Sequence, residues 1–150
     1  MVARYGIGDQ HHGSDPSRVT GWGALGMTPR GLVMDWGGVL TDGPEMLDLV
    51  RRAAAAGVST ALVSDAPSVP SDCAAVFDLV VLGGALGVRK PDPEVYRQVA
   101  GILGVAPAKC VVVDDLARNV RGARAAGAVA VHHTDADRTI AEVEILLGLS

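Results

Sequence analysis

Aromatic side chains are nearly absent from this 150-residue chain: Tyr5, Trp22, Trp36, Phe77 and Tyr96 make up 3% of it. That disfavours a stacking platform for bases or sugars, and any core must come from Val, Ala, Leu and Ile. Cysteine is scarce as well. Cys73 and Cys110 make no disulfide framework, so a reducing, cytoplasmic compartment is expected. A basic excess is missing: seventeen acidic residues against thirteen basic ones leave a net charge of −4, which argues against nucleic-acid and membrane-surface partners. No apolar run approaches the roughly 18 residues of a membrane span. The first residues also lack the roughly 7–15-residue apolar stretch of a secretory signal.

What is present is a globular composition, 49% hydrophobic and 20% charged. The length suits one domain, which at this size buries roughly 68–70% of its unfolded surface. Residues 1–30 carry six Gly and two Pro without helical or strand periodicity. They are expected to form a flexible extension, with Met27 as an alternative start and His11-His12 as an unliganded pair. The core domain then spans 31–150.

From Gly31 onward, apolar runs at 31–34, 58–63, 78–83, 109–113 and 128–133 are unbroken rather than alternating, as in strands buried on both faces. Helical patterns lie between them. Residues 44–56 place Leu47, Val50 and Ala54 on one face, and 92–104 place Tyr96, Val99 and Leu103. Residues 116–126 end at Gly127, and 135–148 carry Ile140, Val143 and Leu147 behind a Thr134 cap. Alternating strands and helices predict an α/β, three-layer, Rossmann-like fold: a mainly parallel sheet of about five strands with helices on both faces and no second domain.

In such a sheet ligands bind beyond the carboxyl ends of the strands. The residues there are Asp35 after 31–34, Ser64 after 58–63, and Asp114 and Asp115 after 109–113, with Lys90 in the loop before 92–104. A cluster of mixed sign suits a divalent cation together with a phosphate. Taken singly, Asp35 and Asp115 could cap a turn or helix, and Ser64 could be an ordinary turn residue. Lys90 carries more weight, because the chain uses eleven Arg and only two Lys. A compact ammonium suits a point-charge phosphate contact.

In order and spacing these segments resemble the haloacid dehalogenase-like (HAD) hydrolase superfamily. GLVMDWGGVLTDG is similar to its first motif, TALVSDA to the second, GVRKPDPEVY to the third and VVVDDLARNVRGARAAG to the fourth. The polar residues are separated by 29, 26 and 24 positions. The resemblance implies a Mg²⁺-dependent phosphohydrolase that forms an aspartyl phosphate. Asp35 would be the nucleophile, Ser64 and Lys90 would hold the phosphate oxygens, and Asp114 would orient Lys90. The metal would be held by Asp35, the Gly37 carbonyl and Asp115. Asn119 is either a further oxygen behind the metal ligands or a plain helix-surface residue.

Three departures from the family pattern stand out. Gly37 replaces the Asp that serves as general acid and base, with Asp42 as a substitute only if its loop curls back. Asp65 follows Ser64 where Asn is common. Finally, no substrate-enclosing cap fits between Asp35 and Ser64 or between Ser64 and Lys90. An open, capless site implies a large phosphorylated substrate, a cap supplied by a homo-oligomer partner on the Ala- and Val-rich last helix, or a core that has lost turnover. The alternatives are therefore a binding or regulatory module that keeps the fold, and a dehalogenase, which needs no metal and leaves the Asp114-Asp115 pair unexplained. A phospho-receiver domain is disfavoured, because its acidic pair comes first and its Lys last.

Overall fold

The computed structural model describes residues 2–4 and 31–149. The apolar runs become five parallel strands: β2 (Gly31–Met34), β3 (Ser59–Ser64), β4 (Leu79–Leu82), β5 (Cys110–Asp114) and β6 (Val129–His132). β1 (Val2–Arg4) adds a sixth strand, antiparallel to β4, and the sheet order is β1-β4-β3-β2-β5-β6. Three residues are too few to show a period, so this strand could not be anticipated. The rest of the extension, including His11, His12 and Met27, lies outside the described residues.

β2 is central and apolar on both faces. Leu32 and Met34 join one core, together with Met46, Leu49, Val50 and Ala53 of α1 (Pro44–Ala55) and Val143 and Leu147 of α5 (Ala136–Leu147). Val33 joins the other, with Val95, Tyr96, Val99 and Leu103 of α3 (Pro93–Leu103) and Ala123 of α4 (Ala117–Ala125). The same alternation in β3, β4 and β5 makes the three layers. A short α2 (Ser71–Ala74) follows β3 and buries Cys73 in the first core.

Two local expectations shift. In α1 the buried stripe is Met46, Leu49, Val50 and Ala53, with Leu47 half-buried and Ala54 exposed. These four positions form the i, i+3, i+4, i+7 row that faces the sheet. The cap of α5 is Asp135, not Thr134: its carboxylate accepts the Arg138 N–H at 2.9 Å, so the helix starts one residue later. Among the described residues, α1 is the one α-helix between Asp35 and Ser64, and four-residue α2 the one between Ser64 and Lys90. No helix of the described residues is long and apolar enough to cross a membrane.

Candidate functional site

The site forms where β2, β3 and β5 end together. Asp35 extends the ladder by one bond, its N–H donating to the Val113 carbonyl at 3.1 Å. Strand alternation carries Asp35 toward the face of Val33, which is the α3/α4 side, and turns Trp36 toward the face of Leu32 and Met34, where it packs against the first core. Asp35 is thereby aimed at the loop that delivers Lys90.

Lys90 is the hub. Its ammonium lies 3.1 Å from Asp35 Oδ1 and 2.9 Å from Asp114 Oδ2, and donates to the Val63 carbonyl at 3.1 Å, with the side chain only 4% exposed. Three donors meet three acceptors, so the buried charge is fully partnered. Burial works against the ammonium, but the two carboxylates override it and hold the pKa above the ordinary lysine value. Ser64, one residue past the Val63 carbonyl, is buried at the end of β3, and its Oγ accepts the Ala66 N–H at 3.2 Å. The turn role and a place at the site thus coexist.

The acidic pair divides its work. Asp114 is buried and committed inward: Oδ1 accepts the Leu116 N–H at 3.0 Å, while Oδ2 accepts Lys90 and the Asn119 side-chain amide at 3.1 Å. Asp115 is half-exposed, and its carboxylate takes no hydrogen bond among the described residues. One carboxylate oxygen each from Asp35, Asp114 and Asp115 lies within 4.8 Å of the other two. Three carboxylates against one ammonium leave two negative charges, and hard oxygen donors of that number fit a divalent cation. With Asp114 engaged by Lys90, the donors left for such an ion are Asp35 and Asp115. Burial pushes the Asp35 carboxyl up to about 6; Lys90 pulls the other way without overcoming it, and the charge of Asp114 adds to the rise.

Glycines let the loops close on these groups. Gly38 sits at φ +78°, and a Cβ there would run into the Asp115 carboxylate. On α4, a Cβ at Gly122 would overlap the Pro91 carbonyl, so the helix backbone lies directly against the Lys90 loop.

Gly37 lies in the turn after Asp35, and a Cβ built on it meets nothing within 4 Å. Asp42 does not remain free to replace a side chain there. Its Oδ2 is 2.7 Å from Nε2 of the buried His133, whose Nδ1 is 2.7 Å from Thr139 Oγ1. Sequence reasoning missed this bridge, which ties the loop after β2 to α5. Asn119 is no surface residue: it is buried, and its backbone carbonyl accepts the Tyr96 hydroxyl at 3.2 Å. The signal that could have found it is its fifth position after Asp114, where the first turn of α4 folds back onto the strand end.

Residues 39–127 match the haloacid dehalogenase-like hydrolase family. The chain belongs to that family. As a HAD-like hydrolase it is 42% identical over 89 residues to a phosphatase of Mycobacterium tuberculosis, a match covering 56% of this chain and 41% of that protein. The HAD-like core therefore spans about two-fifths of that relative. Among solved structures, an uncharacterised protein of Corynebacterium glutamicum superposes with a TM-score of 0.73 at 35% identity, over 81% of this chain and 96% of that one. A HAD family enzyme of Bacteroides thetaiotaomicron solved with magnesium and inorganic phosphate shares the fold, at TM-score 0.52 and 19% identity over 61% of this chain and 53% of its own.

Proposed function

We propose that this chain is a Mg²⁺-dependent phosphohydrolase working through an aspartyl phosphate on Asp35, on a capless, cytoplasmic HAD-like core. The observation that carries the reading is the Lys90 ammonium shared between Asp35 and Asp114 beside an uncommitted Asp115 carboxylate. Asp35, the Gly37 carbonyl and Asp115 would hold Mg²⁺, which when bound supplies the positive charge that lets a carboxylate approach an anionic phosphate. Asp35 attacks phosphorus through Oδ2, since Oδ1 is occupied by the Trp36 N–H at 2.8 Å and by Lys90. The Ser64 hydroxyl would donate to a non-bridging oxygen, and the Lys90 ammonium, its three hydrogens committed to Asp35, Asp114 and the Val63 carbonyl, places positive charge beside the oxygens where charge gathers in the transition state. Asp114 keeps Lys90 in place and charged. Water then cleaves the Asp35–phosphorus bond. Support also comes from the relative named as a phosphatase and from the fold neighbour holding magnesium and phosphate.

Gly37 favours a second reading, a binding or regulatory module, because loss of a general acid-base group slows turnover by on the order of 10²–10⁴. The open edge allows a large phosphorylated substrate or a cap from a second copy of the chain. Phosphate release from p-nitrophenyl phosphate with and without Mg²⁺, beside an Asp35→Asn control, separates the readings. Metal-dependent release abolished by Asp35→Asn is expected. Metal binding with no release above the control would establish the module instead.

A further inference from the structure

We infer that the tandem histidines at the end of β6, His132 and His133, are positioning residues for the divalent cation: from opposite faces of the sheet they fix the spacing between the Gly37 loop and Asp115. The inference rests on the metal half of the phosphohydrolase reading.

The two rings part because strand alternation sends neighbouring side chains to opposite faces. His132 shares the face of Ala130, which packs on the α3/α4 core, and His133 shares that of Val131, which lies in the α1/α5 core. Nε2 of His132 is 2.8 Å from the Asp115 backbone carbonyl. A carbonyl only accepts, so this nitrogen carries the hydrogen. The bond grips the main chain of Asp115 and leaves its carboxylate oxygens for an ion. His133 reaches the other loop. Its backbone N–H donates to the Asp114 carbonyl at 2.9 Å, which pins it beside the acidic pair. Its buried ring then spans from Thr139 Oγ1 of α5, at Nδ1, to Asp42 Oδ2, at Nε2, with 2.7 Å at each end.

Asp42 matters because it closes a knot. The N–H groups of Val39, Leu40 and Thr41 all donate to the Trp36 carbonyl, at 3.2, 2.9 and 3.3 Å. The Asp42 N–H donates to the Val39 carbonyl at 3.1 Å, and the Gly38 N–H to Thr41 Oγ1 at 2.9 Å. Residues 36–42 are therefore one rigid turn with Gly37 inside it. Held at Asp42, that turn lays Gly38 directly against Asp115, where a Cβ would overlap the carboxylate. Each of these two donors is thus steadied from β6 by its own histidine. Asp35 needs no such support, since its N–H continues the ladder onto β5. Mg²⁺ demands near-ideal octahedral geometry at about 2.0–2.1 Å, whereas Ca²⁺ accepts about 2.3–2.6 Å and a looser shell. A fixed spacing between the two loops therefore favours the smaller ion.

The experiment is calorimetric titration of the full chain with Mg²⁺ and, separately, with Ca²⁺, in the absence of any phosphate ester. His132 is exposed, so His132→Ala loosens Asp115 with little risk to folding. It should weaken Mg²⁺ binding about tenfold, and the double variant with His133→Ala up to about 100-fold. Ca²⁺ affinity should change less than about threefold, so the preference for Mg²⁺ narrows. His132→Gln keeps a donor toward the Asp115 carbonyl and should restore Mg²⁺ affinity to within about threefold of wild type. If the double variant fails to fold, His132→Ala with its Gln rescue decides. Unchanged Mg²⁺ affinity in His132→Ala, or equal weakening of both ions, overturns the positioning role and leaves the phosphohydrolase reading standing. A wild type that binds Mg²⁺ no better than Asp115→Asn sinks the metal half of that reading, and this inference falls with it.

Discussion

Asp35→Asn should remove catalysis and, in metal-free protein, make the domain more stable. The ordinary carboxyl value of 3.8 rises to about 6 at Asp35 because burial strips water from the anion. Such a shift corresponds to about 3 kcal/mol of folding free energy, lost once the group is ionised. Between about pH 4 and 6 the folded state binds the proton that the unfolded state has released. The stability contribution of this group therefore falls as pH rises through that window, and the full cost stands above pH 6. An asparagine carries no such cost, and Lys90 keeps Asp114 and the Val63 carbonyl as partners. Calorimetric unfolding in EDTA from pH 4 to 7.5 reads the difference. The variant should match wild type near pH 4 and exceed it by up to about 3 kcal/mol at pH 7.5, or roughly 10 °C in Tm for a domain of this size. Adding Mg²⁺ should close the gap by stabilising the wild type alone. A variant less stable at every pH, or a difference constant from pH 4 to 7.5, would refute the electrostatic account of the site.

Two substitutions probe the scaffold. Gly122→Ala places a methyl group against the Pro91 carbonyl, so it should cost about 1–3 kcal/mol in urea unfolding and weaken phosphate-analogue binding by displacing the Lys90 loop. A titration showing intact analogue affinity alongside lost stability would separate the packing from the site. His133→Ala strips partners from Asp42 and Thr139 and should cost about 1–3 kcal/mol, with amide exchange quickening first in the Leu40–Asp42 turn.

The fold was legible because parallel strands covered on both faces must be uninterrupted apolar runs, so Asp35, Ser64, Asp114 and Asp115 stand out where each run stops. Their convergence with Lys90 then followed from the sheet alone. β1 was hidden because three residues carry no period and its pairing with β4 is long-range. The Asp42–His133 contact spans 91 positions, and nothing local to either residue points to the other. Asn119 illustrates a different limit. An asparagine on a helix reads the same whether it faces solvent or a buried carboxylate, and only the docking of α4 on β5 decides. The offset stripe of α1 has a similar origin: half-buried Leu47 packs against the margin of the first core, and only the docking of the helix decides that Met46, Leu49, Val50 and Ala53 fill its centre.

The inward commitment of Asp114 bears on how such a domain can age. Asp35 imposes strain on the folded state and Asp115 is only lightly held, so mutational drift that no longer selects for turnover can discard either at little risk to folding. Asp114 cannot be shed so freely, because its loss leaves a buried ammonium, a helix-start amide and Asn119 without their shared acceptor. Descendants that lose Asp35 should therefore keep the Lys90–Asp114 pair. An aspartate at position 114 therefore answers to a requirement of the architecture, whatever stands at position 35.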